Sequence, residues 1–366
     1  MNATALPHPP QSHGPAQMAW SDLTNALAEA TALVETSTED ALDRAEGHRF
    51  LLRLLSAAEE LFVERADPLH PSFTRVTSPI RKYFGDNPDT VYDSAPLDPT
   101  KTYRITGQRG TCCYLAFCVY GSGGPEGNRI VANLADRDLD LSPEGRFSLV
   151  LSPEPHPGPW IRLEPDARSV VARQYRANPA TEQPASYQIE CLDATEATPP
   201  PLDEQRVARG VSHAATFLRT VAQRTAAAAA SAARSPNAVS LHSRDGAAAF
   251  FGTPDNAYEA GWFSLEPDQA LVLTLRPPAC RYWSVQLWDR WMESIDARYH
   301  QGSRNHTQVK PEPDGTYRLI IAERDPGVGN WLDPAGHRSG WFCVRWLLAT
   351  ETPSPTVEVL PLSSLA

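Results

Sequence analysis

The chain has little that marks a familiar cofactor or compartment. Its six cysteines, at positions 112, 113, 118, 191, 280 and 343, form no CxxC pair. No Cys/His set has zinc spacing. There is no GxGxxG after a strand, no P-loop, no HExxH and no GxSxG. Dinucleotide, P-loop nucleotide, zinc-peptidase and α/β-hydrolase chemistry therefore have no support in the sequence. Basic runs are missing as well: 33 Lys and Arg stand against 44 Asp and Glu, a net charge of -11. That balance excludes nucleic acid or an acidic membrane as the main partner. No apolar run approaches the about 20 residues of a membrane span. No repeat with a period of about 20–50 residues is visible. The first 19 residues lack the basic start and apolar stretch of a signal peptide and read as a disordered tail. Cys112, Cys113 and Cys118 lie in an apolar strand-like run, which points to reduced, buried thiols and a cytoplasmic location.

What is present is a pattern of helices framing many short strands. Residues 21–35 and 38–66 have helical character, with Ser21 and Thr38 as expected starts. Leu51, Leu54, Leu55, Ala58 and Phe62 form one apolar face. Residues 203–234 predict a further helix, striped by Val207, Val211, Ala214, Leu218 and Val221. Strand-like segments are 101–107, 111–120, 129–134, 146–151, 160–163, 169–176 and 186–191, then 269–276, 281–289, 294–299, 316–322, 341–348 and 356–360. Asp314-Gly315 reads as a hairpin turn. The fold class expected is α+β, mostly β: a jelly-roll-like or sandwich domain with N-terminal helices and a central helical insertion. The organisation expected is a tail over 1–19, a helical region over 20–100, a first β region over 101–200, a helical segment over 201–240 and a second β region over 241–366.

The densest polar stretch is Gly85-Asp86-Asn87-Pro88-Asp89-Thr90-Val91-Tyr92-Asp93. Asp86, Asp89 and Asp93 are candidate acid/base groups or oxygen ligands for Mg²⁺ or another divalent cation, although the spacing is not that of an EF-hand. Tyr92 is a candidate catalytic donor, and Asn87 a substrate-orienting group. Asx-turn bonds by Asn87 and Asp93 are the competing structural reading. A second dense region runs from Trp283 to Trp346. Seven of the nine tryptophans lie between Trp262 and Trp346, enough for aromatic cavity walls or for plain packing. Trp288 and Arg290, then Asn305, Asn330 and Trp331, are the candidate substrate-binding residues, with Arg290 the expected anchor for a negative group. His300 and His306 read as surface histidines by default.

These residues carry a resemblance. Asp86-Asn87-Pro88-Asp89-Thr90-Val91-Tyr92, the strand around Trp288, Asn305, Asp314-Gly315, Asn330-Trp331-Leu332 and Val344-Arg345-Trp346-Leu347 resemble the DUF1214 family, often found beside DUF1254 segments. The resemblance is densest over 262–350 and implies a mostly β domain. It implies no mechanism, since the family's function is unassigned. Matching positions are Asn87, Asp89, Thr90, Tyr92, Asn305, Asn330 and Trp331. Asp333 stands before Pro334 where the family commonly has proline directly after Asn-Trp-Leu.

Two functions follow as expectations. One is an enzyme acting on a small molecule with an apolar body and a polar or anionic head, of lipid, steroid or terpenoid class; hydrolase, lyase and isomerase chemistry stay open. The other is a non-catalytic carbohydrate- or lipid-binding sandwich. A homo-oligomer is compatible with both. Convergence of the Asp86–Asp93 motif with Trp288 and Asn330 in one deep pocket would favour the enzyme.

Overall fold

The computed structural model describes residues 14–38, 40–123, 128–243 and 252–365. The expected tail lies outside them up to residue 13; from Pro15 the chain is already helical. Three long helices are α1 (Pro15–Ser37), α2 (Ala41–Glu59) and α3 (Glu204–Ala232). The first starts upstream of Ser21, with Pro15 in its first turn, where proline's fixed φ suits a helix. Asp40, not Thr38, caps α2, accepting the Leu42 and Asp43 amides. Ala26, Val34, Phe50, Leu54, Leu218 and Val221 close a shared core with Trp291.

The remainder is β structure built twice. The first unit comprises β1 (Thr74–Arg75), β2 (Thr90–Pro96), β3 (Tyr103–Gln108), β4 (Tyr114–Ser122), β5 (Asn128–Ala135), β6 (Arg146–Ser152), β7 (Trp160–Arg162), β8 (Ala167–Tyr175) and β9 (Ser186–Cys191). The second comprises β10 (Ala238–Ser243), β11 (Asn256–Ser264), β12 (Gln269–Leu275), β13 (Tyr282–Trp288), β14 (Ser303–Asn305), β15 (Tyr317–Ile321), β16 (Trp331–Leu332), β17 (Ser339–Leu347) and β18 (Thr356–Pro361). Each unit is a five-stranded sheet over a four-stranded one. The orders are β1-β2-β8-β4-β5 with β7-β6-β3-β9, and β10-β11-β17-β13-β14 with β16-β15-β12-β18. Adding nine to every strand number converts one unit into the other. The parallel pair is conserved in the conversion, β6 with β7 and β15 with β16. The fold is thus α+β and mostly β, two sandwiches with helices packed against them, and α3 is the segment that joins them.

Register makes the correspondence residue-specific. Thr90, Tyr175 and Tyr114 lie in one row of the first five-stranded sheet. Asn256, Leu347 and Tyr282 lie in the same row of the second. Two residues along, Tyr92, Arg173 and Ala116 correspond to Tyr258, Arg345 and Ser284. The sequence carries a trace of this: Asn87-Pro88-Asp89-Thr90-Val91-Tyr92 is echoed by Thr253-Pro254-Asp255-Asn256-Ala257-Tyr258. The repeat is far longer than the periods of solenoids.

Several expectations need correction. The Asp/Asn motif does not close a helical region; it opens β2 of the first sandwich. Residues 294–299 form no strand beyond a single Trp288–Ser294 bridge. Asp314-Gly315 makes a tight turn into β15, but β14 and β15 belong to different sheets, so there is no hairpin. The tryptophans are packing residues. Trp262, Trp288 and Trp341 meet Ala229 and Ala232 of α3, and Trp283 and Trp346 fill the second sandwich. No helix among the described residues is long and apolar enough to cross a membrane.

Candidate functional site

The two five-stranded sheets meet through their outer faces, and the junction is made by two matching clasps. Asp89 Oδ2 accepts from the Tyr282 hydroxyl at 2.7 Å and from Asn305 Nδ2 at 2.8 Å. Asp255 Oδ2 accepts from the Tyr114 hydroxyl at 2.6 Å and from Asn133 Nδ2 at 2.8 Å. Each aspartate follows a proline at the start of the corresponding strand, and each takes its tyrosine from the opposite unit. The clasps differ in charge. Arg137 approaches Asp255 Oδ1 at 3.4 Å. No ion pair reaches Asp89 among the described residues. Burial pushes the Asp89 carboxyl upward, against the hydrogen bonds from Asn305 and Tyr282. His306 adds to this end: its ring meets Tyr282 edge-on at 5.6 Å, and its Nδ1 is buried without a hydrogen-bond partner. Burial pulls the imidazole below its ordinary value, so it is neutral at pH 7.

Behind the clasps lies a buried layer of arginines and phenols. Arg173 and Arg345, equivalent by register, are both buried, at 2% and 3% exposure. The Arg173 guanidinium lies over the Tyr92 and Tyr120 rings, 5.6 Å from each. The Arg345 guanidinium lies 4.7 Å from the Tyr258 ring. Arg345 donates to the Tyr258 hydroxyl at 3.1 Å and to the Gly85 carbonyl at 3.2 Å, while its Nε has no hydrogen-bond partner. Tyr92 and Tyr258 sit deep enough that burial raises both phenols, Tyr258 to about 12. Both nevertheless keep part of their surface accessible.

The expected site residues divide. Asp86 holds Ser294, accepting its amide at 2.8 Å and its hydroxyl at 2.7 Å; its backbone carbonyl accepts from Gln286 and from Trp288 Nε1. Asn87 makes the Asx bond to the Asp89 amide at 3.0 Å and reaches the Tyr282 hydroxyl at 3.3 Å. Asp93 accepts from Arg75 at 2.6 Å and Tyr187 at 2.7 Å. It lies on the face of β2 opposite Tyr92, because strand side chains alternate. The three carboxylates therefore meet three different sets of donors and do not converge on one ion. Trp288 and Asn305 do reach the motif; Asn330 and Trp331 do not. Asn330 binds the Lys310 backbone and the Arg318 carbonyl, and Trp331 the Ala322 carbonyl, both on the outer sheet of the second unit. Arg290 lies over Trp262 at 5.8 Å, beside the helices.

Among the described residues, the set that could hold a metal is Asp43, Glu46 and His337. There the imidazole faces two carboxylates with different nitrogens: Nδ1 lies 3.6 Å from Asp43 and Nε2 3.2 Å from Glu46. That is the geometry of an imidazolium bridging two acids. Burial lowers the His337 pKa, but the nearby acids Asp43, Glu46 and Asp289 outweigh it and raise it to about 10. Sequence reasoning missed Arg173, Arg345, Tyr120, Tyr258 and Tyr282. The available signal was an arginine inside an otherwise apolar strand, as in Val170-Val171-Ala172-Arg173 and Phe342-Cys343-Val344-Arg345.

Comparison with known proteins places this arrangement. The model of a protein family of unknown function, DUF1214, matches residues 264–352. A crystal structure of an uncharacterized protein from Burkholderia cenocepacia is similar over 94% of this chain and 97% of its own, with 36% identity and a TM-score of 0.90. The chain belongs to the DUF1214 family. The family-model match covers only part of the second sandwich, whereas the Burkholderia likeness spans both units. A Vibrio parahaemolyticus protein aligns over 90% of this chain at 13% identity, with a TM-score of 0.47. No curated protein matches.

Proposed function

We propose that this DUF1214 protein binds a small molecule, apolar in body and polar at its head, in the recess between its two sandwiches. The observation that carries the reading is Tyr92. Its ring lies deep between the sheets yet stays partly accessible, and its hydroxyl makes no hydrogen bond to the described residues. Buried phenols find partners in most proteins, so an open one facing a recess marks a place for a ligand group. The partly accessible Tyr258 ring adds apolar surface, and the fully buried Tyr120 packs in one cluster with Tyr92. An enzymatic role is favoured by one further feature. Asp89, like Asp86 and unlike Asp93, has no ion pair to a described residue, and neutral His306 stands beside Tyr282, the tyrosine that Asp89 binds; raised acid and neutral base are the states general acid–base chemistry uses near pH 7.

Native mass spectrometry of the purified chain, followed by denaturation and small-molecule analysis, tests the binding reading. A released metabolite is expected from the wild type and not from Tyr92→Trp, whose larger ring fills the recess. Equal recovery from both would remove the recess from consideration. Turnover of that metabolite, lost in Asp89→Asn and in His306→Gln while binding persists, would establish the enzyme; unchanged turnover would leave a binding protein.

A further inference from the structure

Asn330 and Trp331 stand outside the junction, on the outer sheet of the second unit, where the two units can be compared residue by residue. Register equates Ile320 and Trp331 with Val150 and Trp160. Much of the framework is shared. Ile320 N donates to the Asn330 carbonyl and Val150 N to the Pro159 carbonyl, both at 3.1 Å. The Trp331 and Trp160 indoles donate to matching positions, the Ala322 carbonyl and the Ser152 hydroxyl, both at 2.9 Å. Two residues are not shared. Asn330 stands where the first unit has Pro159, and Arg318 where it has Ser148. The first unit forms the same framework with neither.

Asn330 is buried and holds a left-handed φ of +60°, which asparagine tolerates better than most residues. Its Oδ1 accepts from Lys310 N at 2.9 Å, and its Nδ2 donates to the carbonyls of Lys310 at 2.8 Å and Arg318 at 3.0 Å. One side chain thus ties together the backbone segments that carry Lys310 and Arg318. Those segments border an open cleft of about 230 Å³, larger than the cavity of about 150 Å³ that takes benzene in an engineered core. Arg318 and Ile320 share the face of β15 opposite to Leu319 and Ile321, which fill the sandwich. Ile320, Val328 and Leu365 give the cleft an apolar wall. Lys310 and Arg318 bring two cations to it and Glu312 one carboxylate. None of these three forms an ion pair with a described residue. The lining is one positive charge in excess, beside an apolar surface.

We infer that this cleft is a second binding site, for a singly charged organic acid with an apolar body of about the size of an aromatic ring. Lys310 and Arg318 attract the acid group, and the body lies against Ile320, Val328 and Leu365. Glu312 sets the charge: a monoanion balances the lining, whereas a dianion meets a like charge. The site is independent of the one proposed between the sandwiches.

The test is a calorimetric titration of the full chain with three probes of similar size: benzoate, benzyl alcohol and phenyl phosphate, above pH 7 so that the phosphate is dianionic. Benzoate is expected to bind, and the neutral alcohol and the dianion to bind at least about fivefold more weakly, the scale of a part-exposed charged contact. Arg318→Ser, which installs the residue of the first unit, should weaken benzoate by about fivefold and leave the melting temperature unchanged. Lys310→Gln should act in the same direction, and Glu312→Gln should narrow the gap between phenyl phosphate and benzoate. Tyr92→Trp, which fills the other proposed site, should leave benzoate binding unchanged. Loss of benzoate binding in Tyr92→Trp overturns the second site and assigns the acid to the space between the sandwiches. Undiminished binding in both Arg318→Ser and Lys310→Gln also overturns it, as does absence of benzoate binding to the wild type. Phenyl phosphate bound as tightly as benzoate overturns the monoanion assignment.

Discussion

Tyr282→Phe isolates one half of the inter-sandwich junction. The substitution removes a single oxygen that donates to Asp89 at 2.7 Å and accepts from Asn87 at 3.3 Å. The ring stays, with its contacts to Tyr175 and His306. Asp89 then keeps only Asn305 on Oδ2, and Asn87 loses its side-chain acceptor. A hydrogen bond to a charged group contributes about 1.5–3 kcal/mol, and the orphaned amide adds to the loss. The expected destabilisation is about 2–3 kcal/mol, read as a lower denaturant midpoint at unchanged m-value. The carboxyl of Asp89, already raised by burial, should rise further. In a cycle with Asp89→Asn, the two changes should be strongly non-additive, with a coupling of about 1–2 kcal/mol. Tyr114→Phe is the matched control at the second clasp; there Asp255 retains Asn133 and Arg137, so the loss should be smaller. Stability within about 0.5 kcal/mol of wild type for Tyr282→Phe, or additive behaviour with Asp89→Asn, would refute the clasp as a source of inter-unit stability.

Other outcomes follow from single features. Gly85 has φ of +69°, and a Cβ there would stand 2.8 Å from the Trp288 ring; Gly85→Ala should cost about 2–4 kcal/mol by thermal or chemical melting, from left-handed strain plus overpacking. His337, with a pKa of about 10 in the fold against about 6.5 unfolded, stabilises fully below pH 6.5. That contribution is lost as pH rises through 10. The gap in denaturation midpoint between wild type and His337→Gln should thus shrink from pH 6 to pH 10, and a gap independent of pH would count against the imidazolium bridge. All six cysteines are free, so reductant should leave the melting temperature unchanged; a drop of more than about 5 °C would contradict this, given the 2–4 kcal/mol of a long-loop disulfide.

The three long helices, most strands of both units and the polar density of the Asp86–Asp93 stretch were legible in the sequence, because they rest on local periodicity, turn chemistry and composition. Strand β9 matches its expected limits, residues 186–191. Strands β2, β11 and β14 were not legible. Their residues alternate between a sandwich core and an interface that exists only when two units meet, so polar and aromatic side chains occupy positions that periodicity reads as exposed or irregular. The sequence by itself singled out Asp89 and Asn305 as candidates and marked the chain as a β-rich member of its family. Only the tertiary structure decided what they touch. A clasp between Asp89 and Tyr282, nearly 200 residues apart in the chain, arises from packing one nine-stranded unit on its copy. Burial of Arg173 and Arg345 arises from the same event. Each arginine lies mid-strand on its sheet's outer face, a face a lone sandwich would leave to water. Facing sheets remove that water, and so turn two ordinary strand residues into buried charges between the sheets.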